Sequence, residues 1–388
     1  MLSLDEFTRM LSDKSLYDFG KMLHKYGKEE LDSFIEALQN SLYKQLTLRD
    51  FHGKYAVLLP CKINLTSQLK KSLLKTYYGQ KYGFEAMENE TISTLAIERI
   101  DSTKESVRRI LSGGAPRNEN EKKVYGIKRG LDYISEAANH INEENLRTLY
   151  LMAVGKYLSP EEALPQNSYY RNAPVYVVGD KVEYEGLPWE KLPAYMSELI
   201  SFINRDDDLD QVIKSIVVHY YFAYLHPYFD GNGRMARLLQ MWYLVQKGYS
   251  QVMFIPFSAF INESKGEYYK AFSQISENRK VSGVLDVTPF VLYFTDYVFA
   301  KLGKKTVAVD VFNSLEALLV KGLVTVKEKD LINFVMSTYG YHEFSTKQLE
   351  KDYGNAAYAT IRGFVLKFTE FGILDKVPYG SRVRYKVK

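Results

Sequence analysis

The sequence predicts a mainly α chain that ends in a smaller α+β unit, and three observations carry that expectation. Apolar residues recur at helical spacing, as in Met235, Leu238, Leu239, Trp242 and Val245. Period-two alternation is confined to short runs, such as Tyr55–Leu59 and Tyr170–Gly179. Residues 306–388 read as helices followed by a basic hairpin.

Taken in order, residues 1–85 read as amphipathic helices, Leu16–Tyr26 and Glu29–Gln45, followed by the strand-like patch at Tyr55–Leu59. Residues 86–305 read as a mostly helical core, broken at Ser112-Gly113-Gly114-Ala115-Pro116. Within it Tyr170–Val178 alternates up to a turn at Gly179, and a second run follows at Lys181–Tyr184. Gln211–Leu225 is apolar and aromatic enough to be a buried helix, and Arg234–Gln246 forms another. Leu285–Phe290 opens the last core helix, with Thr288 or Asp286 as its cap ahead of Pro289. The tail reads as helices at Asp310–Val320, Val326–Thr338, Thr346–Asp352 and Ala356–Phe371. Strands Ile373–Pro378 and Arg382–Lys388 then flank a Tyr379-Gly380-Ser381 turn.

Bulk properties narrow the function. A chain of 388 residues suggests two or three domains, and 46% hydrophobic with 25% charged residues suits an ordinary soluble protein with a sizeable core. A net charge of +4 argues against a wholesale nucleic-acid coat and leaves room only for a local basic patch. Cys61 is the only cysteine, which rules out an intramolecular disulfide or a CxxC site. The start turns polar at once and no apolar run approaches membrane-spanning length, so a cytoplasmic location without a membrane partner is expected.

The chemistry concentrates in His226-Pro227-Tyr228-Phe229-Asp230-Gly231-Asn232-Gly233-Arg234-Met235-Ala236-Arg237. Lying between two helices, this loop opens the second one. The first turn of a helix has main-chain N–H groups without intrahelical partners and partial positive charge, which favours an anion. Glycines at 231 and 233 permit positive φ and let a phosphate approach the main chain. Arg234 and Arg237 share a helix face and can fork two successive phosphates. Asp230 is an oxygen ligand of the kind Mg²⁺ takes alongside phosphate oxygens. His226 is the group with a pKa near neutrality that can take a proton from a hydroxyl. Together these residues describe transfer of a nucleotide phosphate onto an alcohol. Gly231-x-Gly233-x-x-Ala236 also matches a dinucleotide-binding pattern, but that pattern needs a preceding strand and a helix precedes it here.

The loop resembles the Fic protein motif HPFx(D/E)GNGRxxR, with Tyr228 where Phe is usual. The resemblance implies a mostly helical Fic fold with a β-hairpin flap. It also implies transfer of AMP from ATP to a protein Ser, Thr or Tyr hydroxyl, with release of pyrophosphate. His226 would be the catalytic base and Asp230 the Mg²⁺ ligand. Gly231, Asn232 and Gly233 would cradle the phosphates, with Arg234 and Arg237 on the β and γ groups and Asn232 near the α-phosphate. The hairpin Tyr170–Tyr184 is similar to the flap that holds the target segment by main-chain pairing. Ser258–Asn262 and Glu267–Phe272, with Tyr268 and Tyr269, resemble the elements that line the nucleobase pocket. The acceptor would be another protein or the chain itself, and a homo-oligomer is a further expectation.

Thr94-Leu95-Ala96-Ile97-Glu98-Arg99 resembles the Fic inhibitory motif (S/T)xxxE(G/N), departing from it at Arg99. The resemblance implies that Glu98 pairs with Arg237 and blocks productive placement of the γ-phosphate. The plain alternative is a surface helix through Ser93–Arg109. The tail resembles a winged helix domain, in which Arg362, Lys367, Arg382, Arg384, Lys386 and Lys388 could reach DNA phosphates. Packing against the core or a protein partner is the other reading. Two function classes thus compete: an autoinhibited AMP-transferring enzyme, and a nucleotide-sensing regulatory or DNA-binding protein with weak or no transferase activity.

Overall fold

Three helices open the chain: α1 (Leu4–Leu11), α2 (Phe19–Tyr26) and α3 (Lys28–Ser41). The computed structural model describes every residue except Met1, 66–83, Ala137, 179–182, 250–251, Phe254, 305–314, Glu316, Val320, 340–342, Asn355 and Ser381. Ser3 and Glu6 form a capping box on α1, and Asp18 caps α2 through the Lys21 N–H. Their inner residues, including Met22, Leu31, Phe34 and Leu38, form an apolar cluster that closes on Val57, Leu59 and Val284.

The helix expected to run to Gln45 stops at Ser41, because Lys44–Arg49 is a strand, β1, paired antiparallel with β2 (Tyr55–Leu58). Cross-strand pairing and burial of Leu46 and Leu48 outweigh the helical pattern that continues through this segment. β2 also meets the core. The Val57 N–H donates to the Leu285 carbonyl at 2.9 Å, and the Val287 N–H donates to the Val57 carbonyl at 3.0 Å.

The core runs through α4 (Phe84–Ile97), α5 (Lys104–Leu111), α6 (Glu119–Ser135), α7 (Glu143–Ala153), β3 (Tyr176–Val178) and β4 (Glu183–Glu185). It continues with α8 (Leu192–Asn204), α9 (Gln211–Leu225), α10 (Asn232–Gln246), α11 (Phe257–Glu263), α12 (Lys265–Ser282) and α13 (Thr288–Tyr293). Thr103, Asn118, Asn142 and Asp210 cap α5, α6, α7 and α9 with their side chains. At α13 the Asp286 carboxylate accepts the Thr288 N–H at 2.9 Å, ahead of Pro289. α9 and α10 pack on each other in the centre, and nearly every face of both is buried, with Arg234, Arg237 and Gln240 of α10 buried alongside its apolar residues. The short flap strands pair antiparallel, Tyr176 with Glu185 and Val178 with Glu183, while Tyr170–Val175 stays outside the strand. The expected flap turn at Gly179 and the start of the second run at Lys181 lie outside the described residues.

The tail contains α14 (Val326–Thr338), α15 (Thr346–Tyr353), α16 (Tyr358–Glu370) and the hairpin β5 (Leu374–Tyr379)–β6 (Arg382–Val387). Phe344 bridges to Tyr385 alongside it, each N–H donating to the other's carbonyl at 2.8 Å. Leu331, Val335, Phe344, Ile361, Phe364 and Phe368 give this unit an apolar cluster of its own. The helix expected at Asp310–Val320 falls mostly outside the described residues. α14 lies against α4 of the core. Among the described residues no helix is long and apolar enough to cross a membrane.

Candidate active site

α9 ends at His226, which takes left-handed backbone angles (φ 52°, ψ 59°) while its N–H still reaches the Phe222 carbonyl at 3.2 Å. That conformation is costly for a residue with a Cβ. The loop is then locked from within. Asn232 accepts the Tyr228 N–H at 2.9 Å and donates to the Tyr228 carbonyl at 2.8 Å, and the Tyr228 ring stacks on Tyr150 with centroids 3.7 Å apart. The Asn232 side chain is buried and committed to the loop through these two bonds to Tyr228.

The two glycines serve different needs. Gly231 has φ +84°, and a Cβ there would lie 2.3 Å from Val154 Cγ1. Gly233 sits inside α10 without positive φ, contrary to expectation. Its hydrogen matters for space, since a Cβ would come 2.4 Å from Glu98 Oε1. The first turn of α10 is thus open to an anion, and the anion found there is the carboxylate of Glu98.

Both arginines are buried rather than solvated, Arg234 at 2% and Arg237 at 3% exposure. Arg234 Nη2 pairs with Asp230 Oδ2 at 2.5 Å. Arg237 donates from Nε to Thr94 Oγ1 at 2.8 Å, and from Nη2 to the Thr94 carbonyl at 3.1 Å and Glu98 Oε1 at 2.6 Å. Burial is the largest influence and works against the Arg237 charge, but the Glu98 carboxylate together with Tyr268 and Tyr269 holds the guanidinium above its ordinary pKa. Among the described residues, Arg234 Nε and Arg237 Nη1 are buried donors with no partner. Native proteins rarely leave such donors unpaired, so they point to an acceptor that arrives from outside. The surface-helix alternative for Glu98 fails: α4 stops at Ile97, and Arg99 turns the chain at φ 58°.

The His226 ring is pushed down to a pKa of about 4, first by burial and then by the Arg171 cation, against a hydrogen bond to the Ala223 carbonyl and the charges of Asp230 and Glu98. It is therefore a neutral imidazole at ordinary pH, in the form that accepts a proton. Among the described residues no group of three or more His, Cys, Asp or Glu side chains is placed to hold a metal. A Mg²⁺ ion here would take most ligands from phosphate oxygens and water, a mode that the single carboxylate of Asp230 fits.

The segments expected around the nucleobase are only partly where predicted. Tyr268 is buried, its hydroxyl 2.9 Å from His219 Nε2 and its ring packed on Phe272 and Phe290, so it presents no face to a base. Ser258 is also buried, its N–H donating to Glu90 Oε2 at 2.7 Å. Tyr269 is partly exposed and donates to the Ile97 carbonyl at 3.4 Å. Lys265, which sequence reasoning missed, donates to the same carbonyl at 2.6 Å and so fixes the end of α4 beside Glu98. Nothing in the sequence around Lys265 signals that contact. In the tail, Lys367 is held by Glu328 at 2.7 Å and Arg384 lies 4.0 Å over the Tyr379 ring, so two of the six candidate phosphate contacts are engaged internally.

Comparison with known proteins places the loop in context. Residues 140–244 match the Fic/DOC family. The chain is 23% identical over 325 residues to the protein adenylyltransferase fic-1 of Caenorhabditis briggsae, covering 81% of this chain and 57% of that protein. It is 26% identical over 231 residues to the protein adenylyltransferase Fic of Nematostella vectensis, covering 58% of this chain and 48% of that one. The chain thus spans about half the length of these curated relatives. Among solved structures, a Fic family protein from Desulfovibrio desulfuricans aligns over 84% of this chain and 97% of its own at 19% identity and a TM-score of 0.47.

Proposed function

Because the chain carries a Fic domain, matched over residues 140–244, we propose that it transfers AMP from ATP to a hydroxyl side chain of a target protein or of itself, and that Glu98 holds it in check. The observation that carries this reading is the Glu98 carboxylate on Arg237, against Gly233, at the start of α10. A chain that places its own carboxylate in an anion site is built to exclude a phosphate from it. Curated relatives bear the name protein adenylyltransferase, which supplies the group transferred.

The atoms balance simply. Neutral His226 takes the proton of the acceptor hydroxyl as its oxygen bonds to the α-phosphorus. The bond from that phosphorus to the bridging oxygen breaks, and pyrophosphate leaves. The N–H groups at the start of α10, with Arg234 Nε and Arg237 Nη1 once Glu98 has moved, hold the triphosphate. Mg²⁺, held by Asp230 and phosphate oxygens, would neutralise charge on the leaving group. A flap target would pair with the main chain of β3 or β4.

The test is incubation of the full chain with α-labelled ATP and Mg²⁺. Label should enter protein in the Glu98→Gly variant and vanish in Glu98→Gly/His226→Ala, which should still bind ATP. Equal labelling with and without His226 would end the proposal. The competing nucleotide-sensing or DNA-binding reading has less support: a sensor needs the arginines and glycines but no base, and two of the tail's six basic side chains are already engaged.

A further inference from the structure

Arg171 is 2% exposed, yet its guanidinium is given to three main-chain carbonyls rather than to a carboxylate among the described residues. Nε donates to the His226 carbonyl at 2.8 Å, Nη1 to Ala173 at 2.8 Å and Nη2 to Leu187 at 2.6 Å. Ala173 lies just before β3 and Leu187 just after β4, so one planar cation joins both legs of the flap at its root to the catalytic histidine. The Arg171 N–H adds a bond to the Pro227 carbonyl at 2.9 Å, and the two legs are tied by the Gly186 N–H on the Val175 carbonyl at 2.9 Å. Space is reserved for it: a Cβ on Gly186 would come 3.0 Å from Nη2.

Burying an unpaired cation is costly unless its hydrogen bonds are all used, and a guanidinium fork is the side chain that can serve three fixed carbonyls at once. The His226 backbone it grips is the left-handed non-glycine residue of the loop, the conformation most in need of external support. We propose that Arg171 is a positioning residue that sets the flap and His226 in one frame, so that a segment docked on the flap meets the imidazole in register. This rests on the transfer reading above. Arg171 acts through the main chain of the base, which makes it distinct from the phosphate-binding arginines.

Arg171 also adds positive charge beside the His226 ring, together with the opposing charges of Asp230 and Glu98 and the Ala223 carbonyl. Charge and fork geometry are separable by substitution. Arg171→Lys keeps the charge and loses the fork, whereas Arg171→Gln loses both. In the Glu98→Gly background, with self-labelling by α-labelled ATP as the rate readout, both variants should label at least tenfold more slowly. Their ATP affinity by calorimetry should stay within twofold of the parent. Observed by NMR with ¹³C-labelled histidine, the His226 ring should titrate higher in Arg171→Gln and near the parent value in Arg171→Lys, with the Ala173 and Leu187 flanks exchanging amide protons faster in both. Folded variants with parental labelling rate and unchanged exchange at the flap root would overturn the proposal. If the Glu98→Gly parent itself fails to label, the transfer reading fails instead, and exchange and titration still decide whether Arg171 frames the loop.

Discussion

Replacing Glu98 probes the site most directly. The Glu98 carboxylate makes one charge-assisted hydrogen bond to Arg237 at 2.6 Å, and Arg237 keeps its two bonds to Thr94 whether or not Glu98 is present. The Glu98 side chain is 28% exposed and that of Arg237 2% exposed, so the pair is shielded from solvent on one side only. A hydrogen bond to a charged group is worth about 1.5–3 kcal/mol. If ATP must displace that bond before its γ-phosphate reaches Arg237, Glu98→Gly should raise the rate of AMP transfer by roughly 10- to 150-fold. Glu98→Gln keeps the shape without the charge and should fall between the two.

The same substitution has a second, independent consequence. Without Glu98 the buried guanidinium loses its counter-charge, so the nucleotide-free Glu98→Gly protein should melt lower than wild type, because an uncompensated buried charge is destabilising. ATP should restore most of that loss by supplying the missing anion. The assays are transfer of label from α-labelled ATP and thermal unfolding with and without ATP and Mg²⁺. A Glu98→Gly protein that transfers no faster than wild type and melts identically in the absence of nucleotide would refute the reasoning, since the pair would then contribute to neither exclusion nor stability.

Two further outcomes follow from the geometry. Arg99 turns the chain at φ 58°, where most residues with a Cβ pay about 1 kcal/mol that asparagine largely avoids; Arg99→Asn should hold Glu98 more firmly on Arg237 and lower basal transfer by roughly two- to fivefold, and unchanged transfer would show that the turn plays no part in holding Glu98. His226 and His219 are held down to about 4 and about 3, chiefly by burial, from 6.5. Because their folded pKa values lie below the unfolded one, their contribution to stability is complete above pH 6.5 and is lost as pH falls through 6.5 towards 4 and then 3. Urea unfolding should show stability dropping below pH 6.5, and the transfer rate should have no acid limb near that pH; a limb at 6.5 would mean the ring is solvated.

Much of the site was legible because it is local. His226 to Arg237 spans one loop and the start of one helix, so spacing alone brings the histidine, the helix start and the two guanidinium groups together. Glu98 was legible only through a resemblance, since nothing in residues 94–99 says that they lie beside residue 237. The errors share that cause. In sequence Gly233 reads as a glycine that permits positive φ and close approach of a phosphate, whereas it lies in the helix with a distant segment's carboxylate, that of Glu98, against it. Tyr268 looked like a stacking face until His219, forty-nine positions earlier, took its hydroxyl into the core. Glu29–Gln45 kept its helical pattern past Ser41, and only pairing with β2 reveals Lys44–Arg49 as a strand. Helices with strong local signals, Gln211–Leu225 and Val326–Thr338, came out with the expected ends.

The contacts of α4 decide how the Glu98–Arg237 pair can be parted. Its Glu88 pairs with Arg108 at 2.8 Å, its buried Glu90 accepts the Ser258 N–H at 2.7 Å, and its Thr94 holds Arg237. Its last carbonyl, on Ile97, is held by Lys265 at 2.6 Å, and α14 of the tail covers another part of it. Withdrawing the whole helix would break all of these bonds, several of them buried and charged, at about 1.5–3 kcal/mol for each charged one. Glu98 lies beyond the last helical residue, so turning its side chain away from Arg237 breaks one. Local release therefore costs far less than removal of α4. The residues that hold Glu98 on Arg237 are accordingly those at the helix end: Arg99 through its backbone, Lys265 through the Ile97 carbonyl, and Gly233 through the space it leaves for the carboxylate.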